Sequence, residues 1–490
     1  MANYDRLSAL DASFLGVEDQ SCHMHVGAVL IFAAAPLRTP EGGVDVERIR
    51  RAIHSRLHLV PRFRQRLAYV PYEQVPIWVD DDRFRLAYHV RHTALPRPGD
   101  ERVLKRLAGR IMSQPLDRKR PLWEMWVVEG LEGDRFALIS KTHHCMVDGI
   151  SGADLMSVIL DWSPESEVGT PEPWEPRPGP SGARLVFDAA WRRAEQPREA
   201  LRAAYETLLA PRSKMREIAQ AASGIAEAFA PALTPVSRTP LNVEIGPHRR
   251  FDWTAMRVAD LKAVKKVLGG TLNDVVLATV SGALRNFFMD RGLYPDQLEI
   301  RALVPVSVRA QDERGQLGNR VTNLIAPLPV KLPDPADRLR EVSATTAGLK
   351  ESKQALGGEV LTAISEWTVP NLLVQAVRLA SWSRAYNLIV TNVPGPQIPL
   401  YLQGALMETS YPVVPLFENV ALVVGLFSYN GGLYWGLNGD WEQLPDLHDF
   451  VLALEHAFRE LQHAARLPVA DVGSAPDETT ASAVRAGQSS

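Results

Sequence analysis

Cysteine is scarce in this sequence. The 490 residues include only two cysteines, Cys22 and Cys145, and no Cys-x-x-Cys pair. Two thiols cannot form the disulfide framework of a small secreted protein, and the redox and metal motifs built on Cys-x-x-Cys are excluded. This cysteine usage favours a reducing compartment.

Long hydrophobic runs are also missing. The longest are Val26–Pro36 and Val420–Phe427, and both are shorter than the roughly 20 residues that a helix needs to cross a bilayer. The first residues lack a basic segment followed by an apolar stretch, so no secretory signal is expected. Any contact with a membrane is therefore expected to be peripheral.

The basic residues are almost all arginine and follow no pattern. Lysine and arginine together number 54, against 57 acidic residues, and the formal net charge is −3. A nucleic-acid-binding protein usually carries a basic patch or stripe. We therefore predict no nucleic-acid partner.

Helix-like and strand-like segments alternate along the chain, which predicts an α/β fold. With 46% hydrophobic and 23% charged residues, the chain has the composition of a globular protein and can bury a large core. Period-two and period-3.6 patterns predict strands at His25–Phe32, Trp123–Glu129, Arg135–His144, Glu299–Val306, Leu324–Val330, Leu388–Asn392 and Val420–Phe427, and helices at Val46–Leu57, Glu101–Ser113, Gly149–Trp162, Val258–Leu268 and Asn273–Arg291.

A composition break divides the chain. Ser163–Pro180 contains six prolines, which block helix formation and remove backbone donors. Ala183–Ala230 is then helical in pattern, and Asp471–Ser490 has no aromatic residue, leucine or isoleucine, as in a disordered tail. We predict an N-terminal lobe at 1–162, a linker and helical crossover at 163–241, a C-terminal lobe at 242–470 and a disordered tail at 471–490.

Two adjacent histidines are the sharpest chemical signal. His143 and His144 end a predicted strand, and Asp148-Gly149 opens the next helix. Because strand side chains alternate between faces, at most one of the two imidazoles can enter a given cavity. This geometry argues against a shared metal ion and favours one catalytic imidazole beside one packed or orienting histidine. The alternative is that both are core histidines and that Asp148 only caps the helix.

The small residues after Asp148 favour the catalytic interpretation, since Gly149 leaves room for a ligand near the backbone. The segment His143-His-Cys-Met-Val-Asp-Gly149 resembles the HHxxxDG motif of CoA-dependent acyltransferases. Other segments resemble, in order, those of the bacterial wax ester synthase/diacylglycerol acyltransferase family, although Ala9 replaces the family's usual proline. They are Leu7–Leu15 (LSALDASFL), Pro121–Glu124 (PLWE), Asn273-Asp274, Val304–Arg309 (VPVSVR) and Thr391–Pro396 (TNVPGP).

This resemblance runs from residue 7 to about residue 445 and implies both a fold and a reaction. The implied fold has two chloramphenicol-acetyltransferase-like lobes with a tunnel at their interface. The implied reaction moves a long-chain acyl group from acyl-CoA, a substrate rather than a cofactor, to diacylglycerol or a long-chain alcohol. The resemblance implies that His144 is the general base and that Asp148 holds the loop in place. No cofactor or metal is expected.

Four further residues are candidate members of the site. The oxyanion of an acyl transfer needs a donor, and Asn273 is the candidate from the second lobe, with a helix N-cap as the alternative. Asp274 is expected to be structural. A buried Asp148 needs a cationic partner; Arg62 resembles the arginine that pairs with this aspartate in condensation domains, and Arg309 is the other option. A surface arginine is the alternative for both.

Two other functions stay open on the sequence alone. One is a condensation-type transferase that uses carrier-protein thioesters, although no carrier-like attachment serine is evident. The other is a lipid-binding or droplet-coating protein with little turnover. Arginines among apolar residues in Ala183–Ala230 are compatible with a helix at a membrane surface or with a packed crossover helix. The expected location is cytoplasmic, peripheral to the inner membrane or to lipid droplets.

Overall fold

The computed structural model describes residues 4–146, 159–191, 236–307, 321–355 and 385–468. Its strands are β1 Asp5–Arg6, β2 His25–Ala33, β3 Gln65–Tyr69, β4 Pro76–Asp80, β5 Val90–Ala94, β6 Trp123–Leu131, β7 Arg135–His143, β8 Arg249–Arg257, β9 Ile300–Ser307, β10 Val321–Leu328, β11 Leu388–Pro394, β12 Tyr401–Leu402, β13 Ala405–Val413, β14 Leu422–Tyr429 and β15 Gly432–Asp440. Its α-helices are Ala9–Val17, Val46–Arg56, Leu86–His89, Glu101–Met112, Val258–Leu268, Leu272–Asp290, Pro335–Ala355 and Leu447–Ala464.

A six-stranded sheet forms the N-terminal lobe, in the order β12-β13-β2-β7-β6-β5. Strands β6 and β7 lie where two successive strands are predicted, and they pair as an antiparallel hairpin. Its turn contains Gly130 and Gly133 at positive φ, a backbone conformation that glycine adopts without steric cost. In the antiparallel pairing of β2 with β7, His25 lies directly opposite His143. The paired histidine motif thus ends a central strand of this sheet.

A second six-stranded sheet forms the C-terminal lobe, in the order β10-β9-β11-β14-β15-β8. Strand β11 runs parallel to both of its neighbours, whereas the other pairs in this sheet are antiparallel. The helix Leu272–Asp290 buries most of its residues from Asp274 to Phe288, and it packs with the helix Leu447–Ala464 in one hydrophobic core. The two sheets and their helices constitute the predicted two-lobed α/β fold.

One strand pair departs from the predicted division of the chain. Strands β12 and β13 come after residue 242, yet β13 pairs with β2 from Gly27 to Phe32 in the N-terminal sheet. The C-terminal segment therefore completes the N-terminal lobe. The reason is physical: sheet partners are selected by backbone hydrogen bonds and shared burial, which do not depend on distance along the chain.

The proline-rich segment has no helix or strand between residues 163 and 180. It is tied to the N-terminal lobe by Arg177, whose guanidinium donates to both carboxylate oxygens of Asp80 at 3.0 Å. A helix at 182–191 follows and packs Leu185 and Ala189 on the small sheet β1-β4-β3. Three predicted parts of the chain lie outside the described residues. They are residues 192–235 of the crossover, the helix predicted at Gly149–Trp162 as far as residue 158, and the tail.

The lobes meet along the helix Glu101–Met112 and strand β8. Ser113 Oγ accepts from the backbone N–H of Arg249 at 2.8 Å, and Trp253 Nε1 donates to a carboxylate oxygen of Glu101 at 3.0 Å. Across the described ranges, no single helix has the length and apolarity to span a membrane; the helices Val258–Leu268 and Leu272–Asp290, bent by 94°, meet the test only as a pair.

Candidate active site

The two histidines lie where the central strand β7 gives way to a short 3₁₀ turn, His144–Met146. The backbone N–H of His144 donates to the carbonyl of Met24 at 2.7 Å, which ties the turn to the start of β2. His143, the last strand residue, is fully buried, while His144 is half-buried. The two imidazoles have different surroundings, as strand alternation predicts.

His144 packs against the first helix of the chain. Its ring centroid lies 4.0 Å from that of Phe14 in the helix Ala9–Val17. Burial, with a smaller electrostatic contribution from the neighbouring His143, lowers the pKa of His144 to about 4. At neutral pH this imidazole is uncharged and can accept a proton.

His143 is held on both sides of its ring. Its Nδ1 accepts from the backbone N–H of Cys145 at 3.1 Å, so the proton of the neutral ring belongs on Nε2. Nε2 lies 3.5 Å from a carboxylate oxygen of Glu18. His143 thus bridges Glu18 and the backbone of the turn that carries His144.

Sequence reasoning missed Glu18. It is the C-terminal cap of the helix Ala9–Val17, its side chain is 8% exposed, and it forms an ion pair with Arg118. Burial alone would raise the pKa of Glu18, but the interactions with His143 and Arg118 outweigh it, and the pKa lies below its usual value. Glu18 lies three residues after the LSALDASFL segment and beside Asp19 and Gln20, so it looks like a surface charge and no sequence signal singles it out.

Further buried polar groups surround this contact. His25 Nε2 lies 3.9 Å from the second carboxylate oxygen of Glu18. Burial sets the pKa of His25 well below its usual value, and it lowers the pKa of Lys141 to about 8. The Lys141 ammonium donates to the backbone carbonyls of Ile111, at 3.0 Å, and Gln114. A charged and polar cluster therefore lies behind the turn.

Cys145 is not a plausible nucleophile. Its thiol is buried, and burial raises its pKa well above the ordinary value. The reactive form of cysteine is the thiolate, which this environment disfavours at neutral pH. Cys145 is therefore not expected to act as a nucleophile beside His144.

Asn273 lies in the C-terminal lobe, and its alternative interpretation as a helix cap is wrong. The cap of the helix Leu272–Asp290 is Thr271, whose side chain accepts from the backbone of Asp274. Thr271 caps the helix because it occupies the position just before the first helical residue, where the backbone is still extended and its hydroxyl can accept from a backbone N–H of the first turn. Asn273 is half-buried, and its side-chain oxygen accepts from the amide of Asn392 on β11 at 2.8 Å.

Asp274 has a structural environment. It is buried, and its carboxylate accepts from the backbone N–H of Thr271 and from the hydroxyl of Thr346, both at 2.7 Å, with the hydroxyl of Ser343 at 3.3 Å. The first contact completes a capping box, and the other two join this helix to the helix Pro335–Ala355.

Of the two arginines considered for Asp148, the structure describes Arg62. Its guanidinium donates to Gln65 at 2.7 Å, lies 3.8 Å from Asp5 and stacks over the ring of Trp78 at 4.7 Å. Asp148, Gly149 and Arg309 lie outside the described residues, so the pairing of Asp148 stays a prediction.

A cavity of about 560 Å³ lies between the lobes, beside the helix Glu101–Met112. His144 is not among its lining residues, which include Arg106, Arg110 and Trp441, so the predicted tunnel past His144 stays a prediction. Within the described ranges, no three histidine, cysteine or acidic side chains are arranged to hold a metal ion.

Two family models match the chain in sequence order. The wax ester synthase/diacylglycerol acyltransferase catalytic domain matches residues 7–276, and the WS/DGAT C-terminal domain matches residues 317–462. The chain belongs to the wax ester synthase/diacylglycerol acyltransferase family. It is therefore an acyltransferase, and the resemblance carried by the HHxxxDG motif and its companion segments is confirmed.

Relatives and solved structures agree with this assignment. A Mycobacterium tuberculosis protein named diacylglycerol O-acyltransferase is 35% identical over 94% of this chain and 90% of its own length, and another, tgs1, is 34% identical over 93% and 96%. The wax ester synthase/diacylglycerol acyltransferase from Marinobacter aquaeolei VT8 superposes with a TM-score of 0.70 at 26% identity, covering 94% of this chain and 100% of its own.

A starter condensation domain of rhizomide synthetase, solved with C8-CoA and Leu-SNAC, shares the fold at 13% identity. Its TM-score is 0.56, and the match covers 96% of this chain and 97% of that domain. This similarity concerns architecture alone. With the family established, neither the carrier-protein transferase nor the lipid-binding protein without turnover is favoured.

Proposed function

We propose that this acyltransferase moves a long-chain acyl group from acyl-CoA to diacylglycerol, producing triacylglycerol, and that His144 is its general base. The single observation that carries the base assignment is the half-buried, uncharged imidazole of His144 at the end of β7. The relatives named diacylglycerol O-acyltransferase support diacylglycerol as the acceptor. The Marinobacter relative is a wax ester synthase as well as a diacylglycerol acyltransferase by name, which supports a long-chain alcohol as a second acceptor.

The proposed step needs no nucleophilic residue, since a thioester is already activated. His144 removes the proton of the acceptor hydroxyl while its oxygen attacks the thioester carbonyl carbon. The tetrahedral intermediate then collapses, the carbon–sulfur bond breaks, and the imidazolium returns the proton to the coenzyme A thiolate. The products are an oxygen ester and free coenzyme A, and the histidine ends in its starting state.

Asn273 is the proposed donor to the oxyanion. The side-chain oxygen of Asn273 accepts from Asn392. An amide side chain also carries two N–H donors, and this contact leaves them for another acceptor. A donor fixed in this way stabilises the charge that develops on the carbonyl oxygen.

The acceptor is a membrane lipid, so we also propose that the protein works at a lipid surface, on the cytoplasmic side of the inner membrane or at lipid droplets. The helix at 182–191 turns Phe187 and Trp191 outward, with 62% and 59% exposure. Aromatic side chains of this kind favour membrane interfaces. The two free, buried cysteines are compatible with a reducing compartment.

The deciding experiment incubates the purified protein with labelled palmitoyl-CoA and either diolein or hexadecanol, and it identifies the products by mass spectrometry. Triacylglycerol from diolein is the expected main product. His144→Ala should lower the rate by about 10²–10⁴-fold, the usual effect of losing an acid–base group. His463→Ala, at an exposed position in the last turn of the helix Leu447–Ala464, should leave the rate unchanged.

Three results would contradict the proposal in different ways. A folded His144→Ala protein with near-normal turnover would remove the base assignment. Wax ester as the dominant product would reverse the order of the acceptors. Equal rates with acetyl-CoA and palmitoyl-CoA would contradict a long-chain donor, because each buried methylene should contribute about 0.8 kcal/mol to binding.

A further inference from the structure

A carboxylate that no motif of the chain points to lies behind the catalytic turn. Glu18 ends the helix Ala9–Val17, while His143 ends β7, and the two side chains meet in a fully enclosed position: Glu18 is 8% and His143 1% exposed. Burying a charged carboxylate is costly unless it is paired. Glu18 forms an ion pair with Arg118, and the imidazole Nε2 atoms of His143 and His25 lie 3.5 Å and 3.9 Å from its carboxylate oxygens.

We infer that Glu18 is a positioning residue for the proposed general base: its carboxylate keeps His143 in the orientation and tautomer from which His143 fixes the turn that carries His144. This inference rests on the function proposed for His144. Phe14 of the same helix contacts His144 directly, whereas the role inferred for Glu18 is exerted through His143.

His143 connects Glu18 to the turn that carries His144. Glu18 lies 3.5 Å from Nε2 of His143, where its negative charge favours a proton on Nε2 without a hydrogen bond of ordinary geometry. Nδ1 is then unprotonated and accepts from the backbone N–H of Cys145 at 3.1 Å. Cys145 directly follows His144 in the turn, so this bond fixes the peptide unit beside the base. Without the carboxylate, a proton on Nδ1 would break the bond to Cys145 and release the turn.

The remaining charged groups near Glu18 do not provide an equivalent anion. The titratable groups that interact with Glu18 from the surrounding elements are Arg118, His143, His25, His23, Lys141 and Cys145. All but the neutral thiol of Cys145 are basic. Two other carboxylates act on members of this cluster, Asp11 on Cys145 and Glu124 on Lys141, but among the described ion pairs Glu18 is the carboxylate beside His143.

The test is a double-mutant cycle on the full-length enzyme with palmitoyl-CoA and diolein. Glu18→Ala should lower kcat about 10–100-fold, because misplacing a catalytic group by about 1 Å has effects of this size, while KM for palmitoyl-CoA changes little. If Glu18 acts through His143, the same substitution made in a His143→Ala background should change kcat less than about twofold, since the coupled effects are not additive.

Glu18→Gln is the companion variant, because it keeps the size and an acceptor oxygen but not the charge; kcat should lie between those of wild type and Glu18→Ala. If Glu18→Ala does not fold, the cycle is run with the glutamine variant. Glu460→Ala is the control, since it removes the partner of the buried Arg338 in the other lobe and should leave kcat unchanged.

Two results overturn the inference: an unchanged kcat in the folded Glu18 variants, or losses from Glu18 and His143 that simply multiply. Failure of the proposed function has a different signature, because His144→Ala would then retain activity whatever the Glu18 variants do. If His144→Ala loses activity while the Glu18 variants keep the wild-type kcat, only the positioning role of Glu18 is contradicted.

Discussion

Phe14→Ala should change the pH profile of the enzyme, because the ring of Phe14 contributes to the burial of the proposed base. Burial is the largest cause of the low pKa of His144, about 4, and the ring of Phe14 lies 4.0 Å from the imidazole. Removing that ring admits water, which stabilises the imidazolium and raises the pKa of His144 toward about 6.5, its value when exposed.

The size of the effect follows from the two limits. At about pH 5.5, an imidazole with the pKa of about 4 found here is about 97% neutral, whereas one with a pKa of about 6.5 is about 9% neutral. A complete return to the exposed value therefore reduces the active fraction about tenfold at this pH. At about pH 8 both forms are almost fully neutral, so this cause contributes no loss there.

The assay is the initial rate of labelled triacylglycerol formation between about pH 5 and 8, per folded enzyme. Wild type should keep a flat profile down to about pH 5, while the acid limb of Phe14→Ala moves upward. The matched control is Phe417→Ala, because Phe417 packs on the same small cluster of Val17, Cys22 and Met24. Superimposable profiles for wild type and Phe14→Ala would refute the desolvation argument, and so would an equal shift in the control.

Two further predictions concern stability and thiol chemistry. Asp274→Ala should lower the free energy of unfolding by about 2–3 kcal/mol, because it removes a capping box and the charged acceptor of the buried Thr346 hydroxyl; an unchanged urea midpoint would contradict this. Cys22 and Cys145 should resist iodoacetamide at about pH 8 in the native protein and react in urea, since burial raises the pKa of Cys22 to about 12 and that of Cys145 well above normal. Intact-mass spectrometry measures both states, and rapid native labelling would show that the thiols are accessible.

Local pattern predicted much of the fold. The strand at His25–Phe32 and the hairpin of β6 and β7 are confirmed within one or two residues. The helix Val258–Leu268 is confirmed with the predicted bounds. These elements are readable because their signals, apolar periodicity and turn residues, lie within a few neighbouring positions. Of the proposed site, the histidine pair was predicted for the same reason, since both histidines belong to one local motif.

What only the tertiary structure decided involves contacts between residues far apart in the chain. Strand β13 completes the N-terminal sheet although it follows the first strands of the second lobe in sequence. Hydrogen bonding between strands does not depend on how far apart they are along the chain. Glu18 reaches His143 across 125 positions because a helix end and a strand end meet in the core. The sequence by itself determines which side chains are present and which segments form helix or strand. The burial that keeps His144 uncharged and the pairing of Glu18 with Arg118 arise only when the segments pack, because desolvation depends on all surrounding atoms together.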